Sequence, residues 1–409
     1  MHGTIAVIAT MDTKGLEAEF LREKLQQGGY QALLLDVSTY RNPVGTPDVS
    51  ADEIAEAGGS SREELLAGKD REKMMAVMGA GAAEVLKRQY RHGKLKGVLG
   101  IGGNQGTAIA SIGMRALPIG FPKYLISTVA SGNIRPFVGA KDIAMVFSVS
   151  DLVGGPNVVT RSVLANAAAA VMGMADAGES LKSPKDQKLI AISALGNTEE
   201  AVNHAMTRLK EAGFQVIAFH ASGAGGSAME ELVERGIVDG VLDLTPHELT
   251  EEVIGQGAYV PVNSGRMEAA VRKGIPLVVA TGGMEYVCFG PRNSIPRDML
   301  NRKILMHNPY NANVIITHDE LQEVAAVLAE RLNKAGGKTA LFVPTGGWSK
   351  YGSPGGVFYD PEGLEKFLQA LRSDLDPKVR LEVPPGNIND EGFVDLCVDA
   401  MIEFMKEEK

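Results

Sequence analysis

Two stretches of this chain repeat one another in pattern. One is "IAVIATMDTKGLEAEFLREKLQQGGYQALLLDVS" from Ile5, and the other is "IAISALGNTEEAVNHAMTRLKEAGFQVIAFHAS" from Ile190. Each reads as apolar strand, polar turn, amphipathic helix, glycine and aromatic, second apolar strand, then serine. Gly29-Tyr30 falls opposite Gly213-Phe214, and Ser38 opposite Ser222. The echo continues, since "KGVLGIGGNQGT" answers "DGVLDLTPHELT" and "YLISTVASG" answers "LVVATGG". Strands alternating with helical periods build parallel sheets with helices on both faces. The repeat therefore predicts an α/β protein of two Rossmann-like, doubly wound domains related by an internal pseudo-repeat. A length of 409 residues suits two such cores better than one. The polar stretch "ADAGESLKSPKDQK", Ala175 to Lys188, reads as the linker, giving expected domains at 1–178 and 188–409.

The net charge is −9 and no long Lys/Arg run occurs, so neither nucleic acid nor an anionic membrane is an expected partner. Small molecules and protein surfaces remain. Two cysteines, Cys288 and Cys397, exclude a secreted disulfide framework and fit a cytoplasmic protein. The opening "MHGTIAVIAT" lacks the basic start of a signal peptide. The most apolar helical stretch, "VLANAAAAVMGMA", reads as too short to span a bilayer. In the tail, Phe393, Leu396, Cys397, Ala400, Met401, Phe404 and Met405 share a helical face. Packing within the subunit or across a homodimer would use that stripe.

Ligands of open α/β sheets sit beyond the carboxyl ends of the strands. "VLGIGGNQGT", Val98 to Thr107, reads there as strand, Gly-rich turn and helix start. Such a turn lets backbone N–H groups and the positive helix end meet a phosphate, though it also serves as a plain strand-to-helix connection. Asn104, Gln105 and Thr107 add donors, and the G-x-x-x-x-G-K-[ST] loop of P-loop NTPases is missing. After the first strand, Asp12, Thr13 and Lys14 open a helix; Asp or Thr suits a cap, but Lys14 opposes the dipole. A bound polyphosphate would remove that conflict. Asp36, Ser38, Thr39 and Arg41 follow the second strand, and Ser127, Thr128, Ser131 and Gly132 a later one. Arg71 could reach a phosphate or lie on a solvated helix face. The segment from Tyr40 to Asp70 reads as loop and short helices that cover a ligand.

In the second half, "FHASGAGGSAME" supplies His220, Ser222, Gly223, Gly225 and Gly226 before a helix. Thr245-Pro246-His247-Glu248 sets a histidine beside a glutamate as a catalytic pair would, or else fits a capping box with His247 pointing outward; Thr317 to Glu320 fits another box. His307 and Asn308 close an apolar run, where they suit a hydroxyl, a carboxylate or a metal, or else a structural role. "TGGMEYVCFGPR" adds Glu285 and Cys288. No two histidines show the i, i+4 spacing of a zinc helix, which argues against a catalytic zinc. Trp348 stands in a Gly-rich loop able to close over a ligand.

Taken together, "DTK" at Asp12, "DVST" at Asp36, "GGNQGT", "LPIGFPKYLISTVASG", "FHASGAGG", "RMEAAVRKGIP", "FGPR", "HNP" and "GSPGGVFYDPEG" carry a resemblance along nearly the whole chain. The chain resembles the ATP-binding family that includes the N-terminal inhibitory domain of the tomato mosaic virus resistance protein. That resemblance implies two α/β subdomains, Mg-ATP in the first, and a homodimer or higher homo-oligomer. Its nucleotide contacts would be Asp12, Thr13, Lys14, Arg41, Arg71, Asn104, Gln105, Gly106 and Thr107, with Asp12 or Asp36 holding Mg2+ through water. The resulting expectation is a Mg-ATP-binding metabolic enzyme. A small hydroxylated or carboxylated substrate would meet Ser222, Gly223, Gly225, Gly226, Glu248, Arg266 and Asn308, with His307, Glu285 and His220 as catalytic candidates. Two alternatives stand beside it: a non-catalytic ATP-binding interaction protein, and a small-molecule enzyme with a vestigial nucleotide site.

Overall fold

The first apolar run is strand β1 (Thr4–Ala9), which leads through Thr10 into helix α1 (Met11–Gln27) and strand β2 (Gln31–Asp36). The computed structural model describes residues 2–40, 42–179, 181–182 and 186–406; Arg41 lies outside the described residues. By its contacts the chain separates into two units, residues 1–181 and 182–409.

Unit 1 continues with α2 (Ala51–Ala57), α3 (Arg62–Gly68), α4 (Arg71–Arg91), β3 (Leu95–Gly102), α5 (Asn104–Arg115), β4 (Lys123–Ser127), α6 (Arg135–Val138), β5 (Ala144–Phe147) and α7 (Val158–Ala177). The five strands are parallel in the order β2-β1-β3-β4-β5, with Val7 registered between Leu34 and Leu99. Each face is buried. Ile5 and Val7 pack with α1 and α7, while Ala6 and Ile8 pack with α4 and α5. That is why β1 reads as a continuous apolar run without alternation. Strand order reverses at β1, so a crevice opens beyond the carboxyl ends of β1 and β3. The Tyr40–Asp70 segment forms α2 and α3, each started by a capping box: Ser50 with Glu53, and Ser61 with Glu64.

Unit 2 comprises β6 (Leu189–Ala194), α8 (Glu199–Glu211), β7 (Gln215–His220), α9 (Ala224–Glu234), β8 (Gly240–Asp243), α10 (His247–Ile254), α11 (Glu268–Lys273) and β9 (Leu277–Ala280). A three-stranded antiparallel sheet follows: β10 (Tyr286–Phe289), β11 (Ile304–Asn308) and β12 (Asn311–Ile315). Then come α12 (His318–Asn333), β13 (Thr339–Phe342), α13 (Pro361–Asp374), β14 (Arg380–Glu382) and α14 (Glu391–Lys406). The main sheet is parallel in the order β7-β6-β8-β9-β13-β14. Its first five strands repeat the unit 1 order. The pseudo-repeat is therefore one of topology, extended by a sixth strand and interrupted by the antiparallel insert.

Helix α7 spans 20 residues, longer than the apolar stretch singled out in the sequence, and is long and apolar enough to cross a membrane by length and composition. Here its Leu164, Ala167, Ala168 and Val171 pack into the unit 1 core. In α14, Phe393, Cys397, Ala400, Met401 and Met405 pack into the unit 2 core, whereas Leu396 is exposed.

Candidate functional site

In unit 1 the β1/β3 register places Ala9 beside Ile101, so the turns after both strands meet at the crevice. A Cβ built on Gly106 would lie 3.5 Å from Thr10 Oγ1. Helix α5 begins at Asn104, and no side chain caps it. The backbone N–H groups of Asn104, Gln105 and Gly106 find no protein acceptor among the described residues. The glycines divide the work. A Cβ on Gly102 would lie 2.5 Å from Gly106 C and Thr107 N, so Gly102 permits the close strand–helix approach. Gly103 has φ −78°, and a Cβ there would meet only Thr128 Oγ1, at 3.7 Å, so its lack of a side chain leaves open room. Thr107 is turned inward: its hydroxyl lies 2.7 Å from Ser127 Oγ.

Lys14 sits half-buried in the first turn of α1 with φ −123° and ψ 16°, a break in the helix. Its backbone N–H donates to Thr10 O at 2.8 Å, but its ammonium makes no hydrogen bond or ion pair among the described residues. A cation there gains nothing from the helix dipole and has no carboxylate to offset it. Asp36 is a fastener. Its Oδ1 accepts from Met11 N at 3.1 Å and Ser38 N at 2.9 Å, and the residue is 1% exposed. Ser38 Oγ in turn accepts from Asp12 N at 2.8 Å. The Asp12 carboxylate stays half-buried and makes no hydrogen bond among the described residues, and Asp36 Oδ2 is buried without a partner. Thr13 and Arg71 are exposed, and Arg71 starts α4.

The Gly-rich turn of unit 2 is filled by the protein itself. Gly223 N, at φ 89°, and Gly226 N both donate to Glu248 Oε1, the second at 3.1 Å. A Cβ on Gly226 would fall 1.7 Å from Glu248 Oε2, and one on Gly225 2.0 Å from His220 O. Glu248 also pairs with Arg266 Nε at 2.8 Å. The same fully buried guanidinium binds Asp243 at 2.7 Å and Glu230 at 2.8 Å. Burial pushes the carboxyls of Glu248 and Glu230 up, against the pull of Arg266. Gly223, Gly226, Glu248 and Arg266 thus bind one another, Gly225 packs against the His220 backbone, and Ser222 turns back toward the His220 carbonyl at 3.4 Å.

A cavity of about 140 Å³ brings His220 and His307 together. Its wall includes Asn197, Tyr259, Tyr286, Cys288, Asn311, Asn313 and Tyr351. That volume resembles cavities of about 150 Å³ that hold benzene. His307 Nδ1 lies 3.1 Å from Tyr351 Oη, and the His220 ring meets Tyr259 edge-on. Asn197 donates to Tyr286 Oη, yet its Oδ1 is buried without a partner, an acceptor waiting for a donor. Asn308 closes a local turn by accepting from Tyr310 N at 2.8 Å.

Glu285 lines a second cavity with Thr345, Gly347, Trp348 and Asp360. The Ser349 hydroxyl donates to its Oε1, while Oε2 is buried without a partner. Burial pushes this carboxyl up to about 7, and the Ser349 bond works the other way. Trp348 anchors its loop: it is buried, meets Phe367 edge-on at 4.8 Å, and donates from Nε1 to Pro344 O at 3.2 Å. Three residues on, Tyr351 reaches the His220–His307 cavity.

His247 departs from its sequence reading. It is fully buried, and α10 begins with no side-chain cap. The Thr245 hydroxyl instead lies 2.7 Å from that of Thr198. The box at Thr317 and Glu320 does form. Asn197 went unnoticed in the sequence. The repeat itself carried the signal, because aligning "IAVIATMDTK" with "IAISALGNTEE" sets Asn197 opposite Asp12 and Glu199 opposite Lys14.

Residues 3–180 match the N-terminal domain, and residues 187–405 the C-terminal domain, of the Uncharacterised protein family (UPF0261). A UPF0261 protein of Clostridium tetani is 38% identical over 407 residues, covering 99% of this chain and 100% of that protein. Another, from Rhizobium meliloti, is 34% identical and covers 97% and 98%. The ToMV susceptible protein tm-1(GCR26) of Solanum lycopersicum is 37% identical over 341 residues, 81% of this chain and 45% of the tomato protein. This chain therefore corresponds to less than half of that relative's length.

Proposed function

The chain belongs to the UPF0261 family, and from that premise we propose that unit 1 binds the phosphates of a nucleotide such as Mg-ATP while unit 2 holds a small hydroxylated or carboxylated substrate. The single observation carrying the nucleotide reading is Lys14, an unpaired, half-buried cation in a helix first turn, at the crevice where α5 also presents uncapped N–H groups. An anion resolves both at once. The room beside Gly103 fits a phosphate, Lys14 offsets its charge, and Asp12 is the carboxylate placed to meet a hydrated magnesium ion. Phosphate bound there leaves this chain's residues three tasks: holding charge, orienting the nucleotide and excluding water.

The reading as an enzyme rests on unit 2. Burial pushes Glu285 up to about 7, it lines a cavity, and one of its oxygens is buried without a partner, a state suited to moving a proton. His220, His307 and Asn197 suit hydroxyl and carboxylate groups. The tomato relatives' names tie them to a virus. Those names support a second reading, nucleotide binding without turnover in an interaction protein.

Calorimetry with Mg-ATP tests the first unit. Lys14→Ala should weaken binding by roughly tenfold or more, since a charged hydrogen bond contributes about 1.5–3 kcal/mol. Gly103→Val should fold normally and bind worse still. Wild-type affinity in both variants refutes the nucleotide site. Product analysis with hydroxy acids and sugar acids, with and without ATP, separates the enzyme from the interaction protein.

A further inference from the structure

Cys288 is part of the wall of the His220–His307 cavity, and two other metal-ligating groups stand close to its thiol. His247, Glu251 and Cys288 each offer a ligand atom, these atoms lie within 4.8 Å of one another, and all three residues are buried. Helix α10 supplies the first two on one face through their i, i+4 spacing, and β10 supplies the third.

The hydrogen bonds around the cluster fix the direction of each donor. His247 Nδ1 is 2.6 Å from Gly283 O. A carbonyl only accepts, so Nδ1 carries the proton. The lone pair of Nε2 then faces Glu251 Oε1 at 3.1 Å. Two acceptors at that distance need a proton or a metal cation between them. Glu251 is itself held in place: Oε1 accepts from Cys288 N at 2.6 Å and Oε2 from Tyr259 N. Backbone groups thus orient both imidazole and carboxylate, as outer-shell partners do for metal ligands. Two fillings leave the buried cluster neutral. A proton on Nε2 gives imidazolium, carboxylate and thiol, with the thiol donating only to Asn313 Oδ1 at 3.4 Å. A divalent cation uses all three donors, with the thiol proton released to solvent on binding.

We propose that His247 Nε2, Glu251 Oε1 and Cys288 Sγ bind a borderline-soft divalent cation of the zinc type, with its remaining coordination position toward the cavity that Cys288 and Tyr259 line. The mixed nitrogen, oxygen and sulfur set suits Zn2+ over Mg2+ or Ca2+, and three protein ligands leave a place for a small oxygen ligand. The absence of a His–His pair argued against zinc in the sequence, but here a Glu and a distant Cys stand with the histidine. Nothing in this proposal depends on nucleotide binding by unit 1.

Cobalt serves as the probe. Metal-free, full-length protein titrated with Co2+ alone should take up one equivalent with an intense thiolate-to-cobalt charge-transfer absorption, and added Zn2+ should abolish it. Cys288→Ser is nearly isosteric; it should keep the wild-type circular dichroism and lose that absorption. His247→Asn should weaken Co2+ binding at least tenfold. A wild-type protein without the absorption overturns the proposal. So does an absorption that survives Cys288→Ser, because Cys397, the other cysteine, would then be its source.

Discussion

Replacing Glu285 by Gln should change how stability depends on pH. Glu285 is 8% exposed, and its carboxyl is raised from 4.5 to about 7, chiefly by burial. Between those values the folded protein holds a proton that the unfolded chain has released. Stability must therefore fall as pH rises through that window. The shift is 7 − 4.5, or 2.5 units, and at about 1.36 kcal/mol per unit the ionised carboxylate costs ~3 kcal/mol. The cost is absent below pH 4.5 and complete above about 7. Gln cannot ionise. It places an amide donor where Oε2 had no partner, a loss of about 1–3 kcal/mol that does not vary with pH. Urea unfolding of both proteins from pH 4 to 8 isolates the carboxylate in the difference between the curves. The variant should gain ~3 kcal/mol on the wild type from one end of that range to the other. Parallel curves would refute the assignment of Glu285 as a group neutral in the folded protein near pH 7.

Two other substitutions probe the frame of the sites. Gly102→Ala drives a methyl onto the backbone of Gly106 and Thr107; it should destabilise by about 1–3 kcal/mol in urea unfolding, and wild-type stability would show that the turn has slack. Arg266→Met strands Asp243, Glu248 and Glu230 around a vacated charge. It should cost about 3–5 kcal/mol at pH 7. The loss should shrink toward pH 5, because burial raises the Glu230 and Glu248 carboxyls and lets them protonate early. A loss independent of pH would mean that the three carboxylates do not share the cation.

The two-fold repetition of strand and helix was readable because each parallel strand, covered on both faces, leaves a continuous apolar run. Local chemistry was readable in part: the box at Thr317 forms, whereas the one read at Thr245 does not. Ser50, Ser61 and Thr317 cap their helices with the glutamate three residues on, a signal complete within four positions. Lys14 stood out because a cation in a first turn defies the dipole, while its counterpart in the repeat, Glu199, obeys it. Long-range charge pairing left no such trace. Glu248 and Arg266 read as groups available to a substrate, but each is consumed by the other. His247 and Cys288 are 41 positions apart, and only the antiparallel insert beginning at β10 brings them together. Whether a polar residue at a strand end faces a ligand or a neighbour depends on packing that spacing alone does not encode.

Glu248 has a consequence for stoichiometry. At the start of α9 the carboxylate is tethered to the same chain, so its effective concentration far exceeds that of any free metabolite. A phosphate arriving at Gly223 and Gly226 would have to evict it and break its bond to Arg266. Unit 2 has thus closed this turn to anions from solution with a residue of its own, whereas among the described residues no side chain occupies the α5 turn of unit 1. For all its duplicated architecture, the chain leaves only one of these two turns open to the phosphate proposed above.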